Sequence, residues 1–223
     1  MVTSAQKMNT RNKTAPRKRL SPAERQHEIL EGAIECYSKF GFDVSTRDLA
    51  EHLGISQSLI FRYFPTKSEL TDRIYDVVFL NRWNPAWDNE LRDTESSLED
   101  RLKQFYRDYY HSIDRYEVIR ISLFSALKGE DLSHRYMERV RSRLILPIVT
   151  EIRATFNLLD DKTLPISQLE EELVFSLHAT IIYMIIRRHV FELPVIEDAT
   201  PLIDINVENF ISCAEASFRR AIQ

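Results

Sequence analysis

Apolar positions recur at intervals of three and four along most of this chain, a period that predicts helices and no strands. Ser21-Pro22-Ala23-Glu24 opens the first with a capping box and a proline at its first position. Ile29, Leu30, Ala33, Ile34, Tyr37 and Phe40 give it one apolar stripe, which Gly41 ends. Two short helices are predicted next. Ser45 with Asp48 caps one, whose Leu49, Ala50 and Leu53 share a face before Gly54. Ser56 caps the other, with Leu59, Ile60 and Phe64 inward and Pro65 as its stop. Thr66 and Glu69 then cap a fourth helix, striped by Leu70, Ile74, Val77 and Val78 and expected to reach about Trp83.

The rest follows the same grammar. Ser96 and Glu99 mark the start of a helix lined by Leu98, Leu102, Phe105, Tyr109 and Ile113, and a shorter one covers 117–128 before Gly129. Residues 131–157 form one long helix expected to bend at Pro147, which lacks a backbone donor. A loop at 158–166 leads to Ser167 and Glu170, a further capping box, for a helix reaching about Phe191. Thr200-Pro201 begins the last helix, striped by Ile203, Val207, Phe210, Ile211, Ala214 and Phe218. Residues 173–186 are apolar almost all round, so that stretch needs cover on more than one side. The expectation is an all-α fold. An arm at 1–20 precedes a three-helix head at 21–67, and the fourth helix joins the head to a larger helical domain at 68–223.

Composition removes several classes. Cys36 and Cys213 are far apart and form no CxxC or Cys/His cluster, which predicts reduced thiols rather than a disulfide or a metal site. No signal peptide is visible, and the most apolar run is short and contains His178, so no membrane span and a cytosolic location are expected. His27, His52, His111, His134, His178 and His189 are dispersed without a nucleophile at motif spacing. Glu24-x-x-His27 has the spacing used in di-iron bundles but no second copy. Neither an enzyme nor a cofactor is expected.

The net charge of −4 hides an asymmetry. Residues 1–20 carry six Lys/Arg and no acid, and residues 21–67 carry five basic and seven acidic groups, a net of +4 that leaves −8 for the remainder. An acidic chain binds DNA when its basic groups share a surface. The arm is read either as a DNA-contacting tail or as a solubilising end.

Residues 45–67 are helix-turn-helix grammar, with Leu49, Leu53, Ile55 and Ile60 holding the pair and the outer face of the second helix left for a DNA groove. The thread Thr46-Arg47-Asp48-Leu49-Ala50, Gly54-Ile55-Ser56, Ile60-Phe61-Arg62-Tyr63-Phe64 and Lys67-Ser68-Glu69-Leu70 resembles the DNA-binding motif of the TetR (tetracycline-repressor) family of bacterial regulators. The match covers about residues 20–75; beyond it only length and helical pattern agree. The resemblance implies base contacts from Arg47 and Gln57, and contacts with the DNA backbone or its neighbourhood from Thr46, Tyr63 and Lys67. Ser58 and Arg62 also face outward, with open targets. Phe61 stands where the family often has a tyrosine, so it packs on a sugar or thymine methyl, or fills the core.

The family also implies a homodimer, here through the last two helices, and a small-molecule pocket in the C-terminal domain. Trp83, Trp87, Phe105, Tyr109, Phe124, Phe175 and Tyr183 supply aromatic material for either a pocket or a core. Arg120 and His178 are polar groups in apolar helices, and with Phe105, Tyr109 and Phe124 they make the candidate effector site. The function expected is a sequence-specific regulator, a repressor released from a palindromic operator by an effector. The rivals are an activator, a non-specific architectural DNA binder, and a carrier or enzyme with a vestigial head.

Overall fold

A computed structural model describes residues 20–93, 95–158 and 163–222, and the arm expected at 1–20 lies outside them apart from Leu20. The head begins with α1 (Pro22–Phe40), where the Ser21 hydroxyl accepts from the Glu24 amide and the Glu24 carboxylate accepts from that of Ser21. Its buried stripe is Ile29, Leu30, Ala33, Ile34 and Tyr37. Helix α2 (Thr46–Leu53) starts on the Ser45–Asp48 capping box and ends at Gly54, whose φ of 63° lies in the left-handed region. Gly32 explains how α2 docks. A Cβ there would stand 2.0 Å from Leu53 Cδ2, so a bare backbone is what lets Leu53 lie on α1. Helix α3 (Gln57–Tyr63) is capped by Ser56 and turns Ile60 into the core, with Phe64 buried just after it.

Helix α4 (Lys67–Val78) is capped by Thr66 and buries Leu70, Ile74 and Val78, but it stops earlier than the expected Trp83. A 3-10 turn (Leu80–Arg82) redirects the chain so that Trp83 can pack on Trp87 with ring centroids 5.4 Å apart. Phe79, just past the end of α4, meets Tyr136 at 4.8 Å. Trp87 sits in α5 (Trp87–Glu90), a single turn.

The body consists of α6 (Leu98–Ile113), α7 (Tyr116–Lys128), α8 (Asp131–Val140), α9 (Leu146–Thr155), α10 (Gln168–His189) and α11 (Thr200–Ala221). The cap of α6 is Ser97, bonded to the Asp100 amide, one residue on from the expected Ser96 and Glu99. Helices α8 and α9 are joined by a π-helical segment (Arg141–Ile145), in which the Leu146 amide reaches back to Arg141 O. That extra residue per turn lies directly before Pro147, whose missing N–H and ring conflict with a regular α-turn. The break expected at Pro147 is therefore taken up as a π-turn. Arg153 of α9 is 1% exposed and pairs through two bonds of 2.7 Å with Glu170 in the first turn of α10, while also donating to Leu164 O and Pro165 O. This cluster pins the loop before α10. No strand occurs among the described residues.

Candidate nucleic-acid interface and the cavity behind it

The outward face of α3 carries Gln57, Ser58, Phe61 and Arg62, all exposed, with Arg47 exposed beside them on α2. Arg47 and Arg62 form no ion pair among the described residues, so two full positive charges stand on this face. Gln57 Nε2 donates to Thr46 Oγ1 at 2.7 Å, tying the starts of α2 and α3 together. The bond uses one amide hydrogen and leaves the other, with the carbonyl oxygen, for the paired donor and acceptor of an adenine edge. Tyr63 and Thr46 are half-buried at the margins. Lys67 Nζ donates to Phe42 O at 2.8 Å and Val44 O at 3.3 Å, and stands 5.7 Å from the Tyr37 ring. Those two carbonyls occupy two of three ammonium hydrogens; Lys67 fixes the α1–α2 loop and keeps one further donor.

Behind the head, the body holds a partly open cavity of about 560 Å³, a size typical of small-molecule sites. Its walls come from Phe79, from Ile113 of α6, from Val118, Ile119 and Ser122 of α7, from Tyr136 and Met137 of α8, and from one face of α10. His178 is the residue of the expected effector site that lines it, and burial pushes that imidazole down to about 4, so the ring is neutral. Phe105 and Tyr109 stand one layer back. Tyr109 packs 5.4 Å from the His178 ring, and its hydroxyl bonds that of Tyr136 at 2.7 Å.

Arg120 and Phe124 lie elsewhere, on the opposite side of α7. Arg120 Nε donates to Ser38 O at 2.7 Å, in the last turn of α1, and its guanidinium sits 4.9 Å from the Tyr116 ring and 5.2 Å from the Phe124 ring. Phe124 covers Gly41, where a Cβ would meet Phe124 Cδ1 at 3.0 Å. A cation on the last carbonyls of a helix satisfies groups that have no partner within it and complements the helix dipole. Helix α7 therefore walls the cavity with one face and holds the head with the other. Helix α8 makes a second link, as Arg135 pairs with Asp72 of α4 at 2.7 Å and stacks 4.0 Å above Tyr75.

The wall residues Val118, Ile119, Ser122, Met137, Glu172 and Ile182 were not singled out by sequence. The one sequence signal for them is the all-round apolarity of 173–186: one of its sides faces the cavity rather than a neighbouring helix. Among the described residues no group of three or more His, Cys, Asp or Glu is placed to hold a metal ion, and no helix is long and apolar enough to cross a membrane.

Residues 29–74 match the family model for bacterial regulatory proteins of the tetR family. The chain is 35% identical over 75 residues to the HTH-type transcriptional regulator LuxR of Vibrio harveyi, a match covering 33% of this chain and 37% of that protein. Whole-chain likeness is structural. A TetR-like transcriptional regulator from Rhodococcus sp. RHA1 superposes with a TM-score of 0.62 at 17% identity, covering 90% of this chain and 99% of the other. A tetR-family regulator from Streptomyces coelicolor gives 0.56 at 17% identity, covering 91% and 90%.

Proposed function

We propose that this chain, whose residues 29–74 match the family model for bacterial regulatory proteins of the tetR family, is a dimeric repressor that leaves a two-fold symmetric operator when a small molecule fills the body cavity. The observation that carries the reading is the outward face of α3, where Gln57 is preset by Thr46 and flanked by unpaired Arg47 and Arg62. In the major groove Gln57 pairs with adenine N6 and N7 and Arg47 with guanine O6 and N7, while Ser58, Phe61, Tyr63 and Lys67 meet sugar, methyl or phosphate. Dimerisation uses the outer faces of α10 and α11, which expose Leu169, Tyr183 and Ile205 among small residues such as Ser212 and Ala216. The protein works in the cytoplasm.

Two heads on one duplex must stand about one helical turn apart, roughly 34–36 Å, or a multiple of it. A ligand that moves α7 against α1 changes that separation. To swing the population from one extreme to the other it must favour the released state by about 5.5 kcal/mol.

The test is selection of duplexes from a random pool by the wild type and by Gln57→Ala. The wild type enriches a two-fold symmetric site, and the variant loses preference at one position per half-site, by about 1–3 kcal/mol. Enrichment of A·T content alone by the wild type would overturn the reading in favour of an architectural DNA binder.

A further inference from the structure

The chemistry of the cavity wall narrows what can fill it. Its walls are set by Phe79, Ile119, Phe175, Ile182 and Ile185, with the exposed Met137 at the rim, and none of the described residues lining it is a lysine or arginine. The one ionisable carboxylate at the wall is Glu172, which is exposed and stays hydrated at the mouth. Inside, Tyr136 is already committed to Tyr109. His178 differs: it is 4% exposed, lines the cavity, and its Nδ1 is buried without a hydrogen-bond partner. A buried polar atom left unpaired is costly, and a site that carries one rewards a ligand whose binding satisfies the ring. The ring is neutral, because burial holds its protonation far below the ordinary range. A neutral imidazole offers one donor and one acceptor and no charge.

An anion entering this cavity would lose its hydration with no lysine or arginine among the described lining residues to meet it, and with the Glu172 carboxylate beside it. An ammonium would likewise leave water for apolar walls and meet only Glu172, whose exposed, solvent-screened carboxylate returns little of that cost. Either transfer is far costlier than burying one hydroxyl or carbonyl that finds a hydrogen bond. We infer that the effector is an uncharged, predominantly apolar molecule with one hydroxyl or carbonyl group, which it presents to His178. The inference rests on the cavity being the effector site and specifies which chemistry that site takes.

The test uses the purified full-length protein near neutral pH. The uncharged fluorophore phenylnaphthylamine is bound first, then displaced by decanol, decanoate and decylammonium, three chains of one length that differ in the charge of the head. Decanol is expected to displace the fluorophore at a concentration lower by about tenfold or more than either ion. In His178→Leu, decanol is expected to bind about fivefold more weakly while the fluorophore is retained. Ser122→Phe, which fills the cavity from α7, is expected to abolish fluorophore binding with helicity by circular dichroism unchanged, and it serves if His178→Leu fails to fold. Decanoate or decylammonium equal to or better than decanol would overturn the inference, as would fluorophore binding that survives Ser122→Phe or no fluorophore binding at all. Retention of duplex DNA by the same preparation is scored separately, so a failure of the DNA-binding reading shows there and not in the displacement series.

Discussion

Arg120→Met takes away the guanidinium that joins body to head while keeping an apolar stem over the same rings. The wild-type side chain gives Ser38 O a charged donor at 2.7 Å; its second approach, to Lys39 O at 3.4 Å, is too long to count for much. Charge-assisted bonds of this kind are worth about 1.5–3 kcal/mol. Arg120 is half-exposed, so solvent screening puts the loss near the lower end, about 1–2 kcal/mol. The nearby Lys128–Asp43 pair cannot compensate, because both partners are largely exposed and such pairs contribute little. Phe124 on Gly41 survives the substitution, so the joint is loosened rather than opened. The assay is native-state hydrogen exchange read by mass spectrometry. Local opening at the last turn of α1 and along α7 should rise about tenfold, the factor that corresponds to about 1.4 kcal/mol, while α10 and α11 stay unchanged. Unchanged exchange in both α1 and α7 would refute the assignment of Arg120 as the link.

Gly54→Ala places a Cβ in open space but at a φ of 63°, so it should cost about 1–2 kcal/mol through backbone conformation alone, read as a drop in urea midpoint. Arg153→Met strands Glu170, which is 0% exposed, and should cost about 3–5 kcal/mol in the same assay; a loss under 1 kcal/mol would mean that the carboxylate finds another partner. His178 is held at about 4 when folded against 6.5 for the free group, so the unfolded chain binds the proton more readily between those values. Stability from this residue is complete above about pH 6.5 and falls by ~3 kcal/mol toward pH 4. His178→Leu should flatten that acid slope in thermal melts, and an identical slope would contradict the burial argument. Lys67→Ala should weaken binding to all duplexes alike and reduce the salt slope by about one, with a further loss of head stability from the vacated Phe42 and Val44 carbonyls.

Helix starts were legible because each is decided within four residues: Ser21, Ser45, Ser56, Thr66 and Ser167 all cap where the local pattern puts them. The exception shows the limit of that logic. Ser96 and Ser97 sit before Glu99 and Asp100, two equivalent registers, and burial of Leu98 at the first turn of α6 selects the second. Helix ends depend on remote packing. The apolar stripe of α4 continues past Val78, but Trp83 finds its partners in Trp87 and Phe105, and the chain turns to reach them. The exposed face of α3 was readable from motif spacing, since exposure there follows from helix period. The cavity was not. Helix α7 is apolar on both sides, with Val118 and Ile119 on one and Phe124 on the other, so period alone cannot tell which side meets a void and which meets α1. The same ambiguity hid the role of Arg120, whose partner is a main-chain carbonyl eighty-two residues away.

The central claim is that two copies of the head, held by the α10 and α11 faces, read one symmetric site as a unit. It is tested most directly by inserting about half a helical turn, roughly five base pairs, between the half-sites of the selected duplex and measuring affinity by fluorescence anisotropy. A dimer with fixed head separation should lose its affinity down to the level of a single half-site, because the second half-site now faces the wrong side of the helix. Affinity unchanged by the insertion would show that the heads bind independently, and would contradict the account.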